Sequence, residues 1–341
     1  MPGGRRRLRY GITFQLDPPA RRTVERAMLA EETGHDYVWL WDSHVLWQDV
    51  YPVMALIAEH TERVRIGPCV TNPATRDPTV TASAIATLNE ISGGRMEIGI
   101  GRGDSALRVL GHAPVSLRRL EEVCRLLREL VPGRTACYEG TDLRLPWSAG
   151  APAPIWVAGY GPKALRLAGR VADGVILQLA DPDLIRWFLG FVREGAEEAG
   201  RRFEEIEVQA AAPAYVSEDL GHAREQVRWF PALVSNHVVD LLRRYPKDQL
   251  PAGLVGYVDT REGYDYHEHG RVGAGNERFV GDAIVDRFCV VGPPEACRAR
   301  LDELEAAGVT QFNNYDMGDD VSGQMRIFAD QVIRAREVSE G

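Results

Sequence analysis

Residues 67–111 read GPCVTNPATRDPTVTASAIATLNEISGGRMEIGIGRGDSALRVLG and link two apolar runs through one amphipathic stretch. The apolar runs lie at 64–71 and 96–101. Between them, residues 79–91 have helical periodicity and stop just before the pair Gly93-Gly94. Both runs are mostly apolar at their centres rather than alternating, which is typical of strands buried on both faces of a parallel sheet. The segment therefore predicts a strand–helix–strand unit of an α/β fold.

The same alternation extends in both directions from this unit. Strands are predicted at 9–16, 36–41, 64–71, 96–101, 154–159, 174–179, 206–216 and 310–315. Helices are predicted at 20–33, 51–61, 79–91, 117–131, 162–172, 183–199, 221–245, 295–307 and 321–338. Eight such repeats in one chain favour a (β/α)8 TIM barrel that forms a single domain over residues 1–341, with a doubly wound sheet as the rival.

Two segments do not fit the minimal repeat. Residues 132–153, which include YEGTDLRLPW, are predicted to form a short β-rich excursion. Residues 246–292 are rich in Gly, Tyr, His and charge, and are predicted to form a long loop with little structure of its own. Loops of this length inside a compact domain usually serve as lids or binding loops.

Composition excludes several classes of protein. The chain of 341 residues has a net charge of −9, whereas a nucleic-acid binder needs a basic face. No stretch approaches the roughly 18 apolar residues of a membrane helix, and no signal-peptide core follows the amino terminus. The five cysteines contain no CxxC pair and are predicted to be reduced thiols. We therefore predict a cytoplasmic protein that binds neither nucleic acid nor membranes.

In TIM barrels the active site lies at the carboxyl ends of the strands. The polar residues at the predicted strand ends should therefore converge on one mouth. They are Gln15, Asp17, Asp42, Ser43, His44, Thr71, Asn72, Arg102, Asp104, Tyr160, Lys163, Gln178, Tyr215, Asn313 and Asn314.

The stretch GIGRGDS (99–105) permits several interpretations. A dinucleotide-binding fingerprint is disfavoured, because the spacing is G-x-G-x-G and the motif follows the fourth strand instead of the first. An RGD adhesion tag is disfavoured because the chain shows no export signal. Small residues at Gly101 and Gly103 would instead leave room for a flat ring, with the Asp104 carboxylate at the rim. The alternative is a tight turn in which Asp104 is a helix N-cap.

Other polar residues have competing interpretations as well. His44 lies near Trp41 and Trp47, and is either functional or a buried structural histidine. The H-x-H in YDYHEHGR lacks further ligands at metal-binding spacing, so no metal site is predicted. The substrate-contacting lid predicted from this stretch, with a solvated loop as the alternative, comprises Tyr264, Tyr266, His267, His269 and Arg271. Arg76 and Asp77 are either pocket residues or a surface pair.

Residues 67–111 resemble the luciferase-like superfamily of flavin and deazaflavin oxidoreductases, and are most similar to its methylenetetrahydromethanopterin reductases. The matching blocks are V-T-N-P, T-R-x-P, T-A-S-A-x-A-T-L and G-I-G-x-G-D. Two more stretches are similar, APIWVAGYGPKALRLAGRVADGVIL (153–177) and VVGPPEACRARLDELEAAGVTQF (290–312). The resemblance covers most of the chain outside 132–153 and 246–289, and implies a luciferase-like TIM barrel that holds coenzyme F420 or FMN.

Residue by residue, the resemblance implies a cofactor site. It implies a cis peptide bond between Cys69 and Val70, just before Thr71 and Asn72, and a ring seat at Gly101, Gly103 and Asp104. The turn that meets the cofactor tail comprises Ala158, Gly159, Tyr160, Gly161, Pro162 and Lys163. Relatives have an Asp-His or Asn-His pair where this chain reads Asp42-Ser43-His44, so either Asp42 or Ser43 lies beside the ring. Gln178 stands near the place of a lysine found in some F420 enzymes.

The resemblance implies hydride transfer between reduced F420 and a small organic substrate, with Asp104 and His44 as the proton-handling candidates. The first alternative is an FMN-dependent monooxygenase that uses reduced flavin and O2. The second is a non-catalytic flavin-binding barrel, which the convergent acidic groups disfavour. A homodimer and a separate flavin or F420 reductase are the partners that the family implies.

Overall fold

The computed structural model describes residues 7–148 and 150–340. Their strands, in chain order, are β1 (Arg9–Phe14), β2 (Tyr37–Leu40), β3 (Arg65–Pro68), β4 (Ile98–Ile100), β5 (Ala136–Tyr138), β6 (Thr141–Leu143), β7 (Ile155–Ala158), β8 (Gly174–Leu177), β9 (Glu207–Ala212), β10 (Ala214–Val216), β11 (Val290–Gly292) and β12 (Gln311–Tyr315).

The α-helices are α1 (Ala20–Glu32), α2 (Val50–His60), α3 (Pro78–Ile91), α4 (Asp104–Arg108), α5 (Leu117–Leu130), α6 (Pro162–Val171), α7 (Pro182–Glu198), α8 (Leu220–Val227), α9 (Trp229–Leu242), α10 (Ala252–Val255), α11 (Asp282–Phe288), α12 (Pro294–Ala306), α13 (Val321–Phe328) and α14 (Arg334–Glu340). A π-helical turn, Ala329–Ile333, joins α13 to α14. No helix among the described residues combines the length and the apolar character needed to cross a membrane.

Eight parallel strands form a barrel in the order β3-β2-β1-β12-β9-β8-β7-β4. Two parallel bridges, Ile66 to Met96 and Thr71 to Ile100, join the outer strands β3 and β4 and close the ring. These eight strands are the eight predicted from apolar runs. The barrel prediction is therefore confirmed, and the doubly wound sheet is wrong.

The barrel interior is filled by hydrogen-bonded polar side chains together with aromatic rings. Trp39 Nε1 donates to Gln311 Oε1 at 3.1 Å, and Asn313 Nδ2 donates to Gln209 Oε1 at 3.1 Å. At the amino-terminal side, buried Glu97 accepts from Trp156 Nε1 at 2.6 Å and pairs with Arg65. Buried polar groups need such partners, because an unsatisfied one costs about 1–3 kcal/mol. The interior is therefore a packed core and not a channel.

Three predicted elements are divided in the structure. Predicted strand 206–216 separates into β9 and β10 at Pro213, because proline has no N–H to continue the ladder, and β10 pairs with β11 outside the barrel. Predicted helix 221–245 separates into α8 and α9, and predicted helix 321–338 is interrupted by the π-helical turn. Short helix α4 was not predicted.

The two insertions have different outcomes. The β-rich excursion at 132–153 is confirmed, because β5 and β6 pair as an antiparallel hairpin. The prediction that 246–292 has little structure is wrong, since this long insertion contains α10, α11, β11 and several 3-10 turns. It is docked on the barrel mouth, where Gln15 Nε2 donates to the carbonyl of Gly270 at 2.8 Å. The long insertion can therefore contribute to a site at that mouth.

Candidate active site

A cavity of about 490 Å³ opens at the carboxyl ends of the barrel strands. This main cavity lies within the usual range of small-molecule sites, about 300–1,000 Å³. The predicted site residues that line it are Asp42, Ser43, Cys69, Val70, Gly101, Gly103, Asp104, Ala158, Gly159, Tyr160, Gly161, Lys163, Gln178 and His269. The structure thus brings most of the predicted site together at the end of the barrel where TIM-barrel chemistry occurs.

The turn after β2 contributes both of its predicted candidates to the cavity. Burial raises the pKa of Asp42, while a hydrogen bond with Thr71 acts in the opposite direction. Ser43 is buried, and its Oγ lies 2.6 Å from the Oγ of Ser105 on α4. Asp42 and Ser43 therefore both contribute to this wall of the cavity.

The end of β3 forms another wall. The peptide bond between Cys69 and Val70 is cis, as the resemblance predicts. Cys69 and Val70 line the cavity, and Val70 packs where a Cβ on Gly101 would fall, 2.9 Å from its Cγ2. The next residue, Thr71, is buried behind this wall. Asn72 accepts hydrogen bonds from backbone N–H groups of its own loop at 3.0 Å, so it shapes the loop and does not face the cavity.

The glycine turn after β4 places an acidic residue in the cavity. Gly103 has φ +79° and occupies the N-cap position of α4, so Asp104 is the first helical residue and the N-cap alternative is wrong. The Asp104 carboxylate instead accepts from Arg108 Nε at 2.5 Å. Arg108 also donates to Asp240 on α9 through Nη2 at 2.5 Å. Asp104 is therefore held by an ion-pair network that connects α4 to α9.

The amino terminus of α6 forms the other end of the cavity. Gly161 is its N-cap without a side-chain cap, and Pro162 has no N–H to offer. The first intrahelical bond runs from Leu165 N to Gly161 O, so the N–H groups of Lys163 and Ala164 have no partner within the helix. Free N–H groups and the helix dipole favour an anion at such a terminus. Lys163, Ala164 and Arg244 line the cavity here.

The long insertion and α9 form the roof. His269 lies against Trp41 and Trp47, with ring centroids 6.0 and 6.1 Å apart. Its Nδ1 is 2.8 Å from the hydroxyl of Tyr264. On the opposite side, His237 of α9 stacks on Tyr160 at 4.4 Å. The roof therefore brings two imidazoles and an aromatic cluster to the acidic end of the cavity.

Several predicted residues lie outside the main cavity. His44 is exposed, because Ser43 turns inward to Ser105 and the following side chain faces outward. His44 is therefore not part of the proposed site. The other predicted site residues that do not line the main cavity are Thr71, Asn72, Pro162, Tyr264, Tyr266, His267 and Arg271. Of these, Tyr264 and Tyr266 line a smaller adjacent cavity.

The strand-end residues also converge less than predicted. Asn313 lies inside the barrel on Gln209, and Asn314 accepts from the backbone N–H of Ala214 at 2.7 Å. The hydroxyl of Tyr215 donates to Asp319 at 2.7 Å, away from the cavity. Arg76 pairs with Asp49 at 2.6 Å, and Asp77 caps α3, so these two neighbours do not pair with each other.

Sequence reasoning missed the wall formed by α9 and the end of β12. The missed polar and aromatic lining residues are Trp41, Trp47, Ser105, His237, Asp240, Arg244, Tyr245 and Tyr315. The sequence of α9 does not indicate which of its residues face the cavity, because buried residues surround the whole helix. Trp41 and Tyr315 end the predicted strands 36–41 and 310–315, so a strand-end rule that included aromatic residues would have found both.

His269 makes stability depend on pH. Burial lowers its pKa to about 4, although Asp104 acts in the opposite direction, whereas an unfolded histidine titrates near pH 6.5. Between these values the unfolded chain binds more protons, so lowering the pH destabilises the fold, by about 2 kcal/mol for this group at pH 5. We expect urea unfolding to show that His269→Gln loses about 2 kcal/mol less than the parent between pH 7 and pH 5.

His35 provides the internal reference for this experiment. Burial lowers its pKa to about 4 as well, and it is present in both proteins, so its contribution cancels in the comparison. Equal losses of stability in the parent and His269→Gln would show that His269 is not held neutral in the roof.

A parallel eight-stranded barrel with a glycine-lined cavity at its carboxyl end defines a TIM-barrel protein whose cavity has the size of a small-molecule site. The sequence profile described as luciferase-like monooxygenase matches residues 5–311. The chain belongs to this luciferase-like family.

Individual relatives agree with this assignment. The 5,10-methylenetetrahydromethanopterin reductase of Methanolobus tindarius is 31% identical over 313 residues, which cover 89% of this chain and 92% of the relative. An F420-dependent glucose-6-phosphate dehydrogenase of Nakamurella multipartita is 33% identical over 234 residues, 62% of this chain and 68% of the relative. The solved coenzyme F420 dependent tetrahydromethanopterin reductase from Methanopyrus kandleri superposes with a TM-score of 0.76 at 24% identity, covering 96% of this chain and 99% of that one. At this level of sequence identity, the structural similarity shows a shared fold.

Proposed function

We propose that this protein is an F420-dependent oxidoreductase that transfers a hydride between reduced F420 and a small organic substrate with an electrophilic C=C, C=N or iminium-like carbon. The observation that carries the proposal is the main cavity, whose wall combines Asp104 under an aromatic roof with the amino terminus of α6. Relatives that span most of the chain are reductases, and others are named as F420-dependent.

The lining residues fit a flat ring. A Cβ on Gly101 would lie 2.9 Å from Val70, one on Gly159 would lie 3.2 Å from Ala164, and one on Gly161 would lie 2.9 Å from Leu241. Glycine at these positions leaves backbone surface along the cavity that a planar molecule can approach. Trp41 and Tyr315 add an edge-to-face aromatic pair with centroids 5.5 Å apart.

The donor set at the far end fits an anionic tail. The N–H groups of Lys163 and Ala164, which have no partner within the helix, stand at the α6 terminus, and Lys163 also contributes its ammonium group. Arg102 and Arg244 line the same cavity. Burial lowers the pKa of Arg102 and the charge of Arg244 lowers it further, whereas Asp240 and Asp104 act in the opposite direction. An anion near both guanidinium groups would weaken the repulsion between them.

Bound in this cavity, reduced F420 supplies a hydride from carbon, and the protein's residues supply position, exclusion of water and a proton. The Asp104 carboxyl group is the proton-handling candidate, held in place by Arg108. His269, Trp41 and Trp47 cover this end of the cavity and exclude water. Neutral His237 and His269 add imidazoles next to Asp104, since burial lowers the pKa of both. General acid catalysis of this kind contributes about 10²–10⁴-fold.

The proposal is tested by titrating the purified protein with F420 and with FMN. We expect F420 to bind with a Kd in the micromolar range or tighter and FMN at least tenfold more weakly, a difference of about 1.4 kcal/mol. Fluorescence reports both ligands, and calorimetry checks the stoichiometry. Tight FMN binding together with oxygen-dependent turnover would favour the monooxygenase alternative. Binding of F420 without turnover on any electrophilic substrate would favour the flavin-binding barrel.

The remaining proposals rest on the resemblance. We propose that residues 1–341 act as one domain, that the protein forms a homodimer, and that a separate reductase supplies reduced cofactor. Light scattering on the purified protein tests the dimer.

A further inference from the structure

A second cavity of about 360 Å³ adjoins the main one. This side cavity lies between α9 and the long insertion, and Asp240 lines both cavities. Arg108 lines the side cavity and donates to Asp104 in the main cavity. The wall between the two cavities therefore consists of the ion-pair network that holds the proposed proton-handling residue.

The side cavity is lined by more cationic than anionic groups. Its guanidinium groups belong to Arg108, Arg243 and Arg261, and its carboxylates to Asp240 and the exposed Glu262. Arg108 and Arg243 both contact Asp240, at 2.5 and 3.4 Å.

Arg261 is the cation without a counter-ion. Within the described residues, no carboxylate lies within 4.0 Å of its guanidinium group, which is half-buried over the ring of Tyr264 at 5.4 Å. Burial lowers the pKa of Arg261. A partly desolvated guanidinium with no anionic partner is electrostatically unsatisfied, and its planar fork matches a carboxylate or a phosphate.

Asn236 fixes the position of Arg261 at the side cavity. This side chain is only 6% exposed and lines the side cavity. Its Oδ1 accepts from Arg261 Nη2 at 2.5 Å, which fixes the amide orientation because a guanidinium group only donates. Within the described part of the chain, the remaining Nδ2 is buried and has no hydrogen-bond partner. This nitrogen is enclosed by protein atoms, so the contribution of Asn236 to the side cavity is the hydrogen bond that fixes the guanidinium group of Arg261.

We propose that the side cavity binds the carboxylate or phosphate group of an anionic substrate whose reacting carbon lies in the main cavity. This inference rests on the proposed function and adds the substrate class, an organic anion. Arg261, held in place by Asn236, binds the oxyanion, and the Arg108 network separates it from Asp104. The anionic tail of the cofactor has its own donors at α6, on the main cavity, so the two anions occupy different places.

The test uses the full-length protein, with and without saturating F420, and titrates succinate and inorganic phosphate by calorimetry. We expect at least one of the two probes to bind the parent. We expect Arg261→Met and Arg261→Gln to weaken its binding at least about tenfold, as loss of a charge-assisted hydrogen bond does. Arg278→Met is the matched control, because Arg278 is an exposed arginine of the same insertion that lines neither cavity. The thermal midpoint of each variant verifies folding.

The result that overturns the inference is distinct from failure of the proposed function. Absence of binding of both probes, or equal affinities in the parent and both Arg261 variants, would show that the side cavity is not an oxyanion site. A parallel loss of F420 affinity in the Arg261 variants would assign this cavity to the cofactor tail and would also overturn the substrate site. Failure of F420 to bind the parent would refute the proposed function, whereas the titrations without F420 would still report on the side cavity.

Discussion

We expect Asp104→Asn to lower turnover with F420 by about 10²–10⁴-fold, the usual contribution of a general acid–base group. Asparagine preserves the shape of the side chain and can still accept a hydrogen bond from Arg108 Nε, but it cannot exchange a proton. Asp104 is not the N-cap of α4, so the helix does not depend on its carboxylate for capping. The thermal midpoint and the Kd for F420 should therefore change little while turnover falls.

Asp240→Asn is the comparison variant for this experiment. Asp240 contacts the same guanidinium group of Arg108 at the same 2.5 Å, so both variants remove an ion pair with Arg108, and Asp240→Asn also removes the contact with Arg243 at 3.4 Å. We expect Asp240→Asn to retain far more activity than Asp104→Asn. An equal loss in both variants would mean that turnover depends on the position of Arg108 and not on a proton from Asp104. Full activity of Asp104→Asn would mean that GIGRGDS (99–105) forms a tight turn and supplies no proton-handling residue.

The barrel could be predicted because its signal is local. Each barrel strand is a short apolar run buried on both faces, such as Tyr37–Leu40, and the run itself carries the information. The positions of the cavity-lining glycines could be predicted in the same way, because these glycines lie at or just after the ends of predicted strands. The cis bond at Cys69–Val70 came from the resemblance and not from any pattern in the residues.

The roof of the site could not be predicted, because it depends on contacts between distant segments. His237 and Asp240 belong to a helix buried on nearly all sides, and only the tertiary fold shows which of its residues face the cavity. His269 was one of several polar residues in a segment predicted to be loop, and its burial against Trp41 distinguishes it from exposed His267. The exposure of His44 could not be predicted either, because it depends on the contact of Ser43 with the distant Ser105.

Gly101→Val is expected to weaken F420 binding by about 5- to 150-fold, because the new side chain overpacks the ring seat at a cost of about 1–3 kcal/mol. Gly101 does not have a positive φ, so valine is compatible with its backbone. The new Cβ would meet Val70 Cγ2 at 2.9 Å and lie 3.7 Å from the Cβ of Ala158, both of which line the main cavity. Fluorescence titration with F420 and a thermal melt of the same sample measure affinity and stability together.

Comparison of Gly103→Ala with Gly101→Val distinguishes an effect on the cavity from an effect on the conformation of the turn. Gly103 has φ +79°, so an alanine there takes a left-handed conformation that costs about 1–2 kcal/mol. Its Cβ would press on Asn72 at 3.0 Å and Leu107 at 3.1 Å. We therefore expect Gly103→Ala to lose stability while its folded fraction binds F420 nearly as tightly as the parent. Gly101→Val should show a different pattern, in which affinity for F420 falls together with stability, because the new side chain also displaces Val70 in the cavity wall. Full F420 affinity in Gly101→Val would place the ring elsewhere in the cavity, because a seat against Gly101 leaves no room for the added methyl groups.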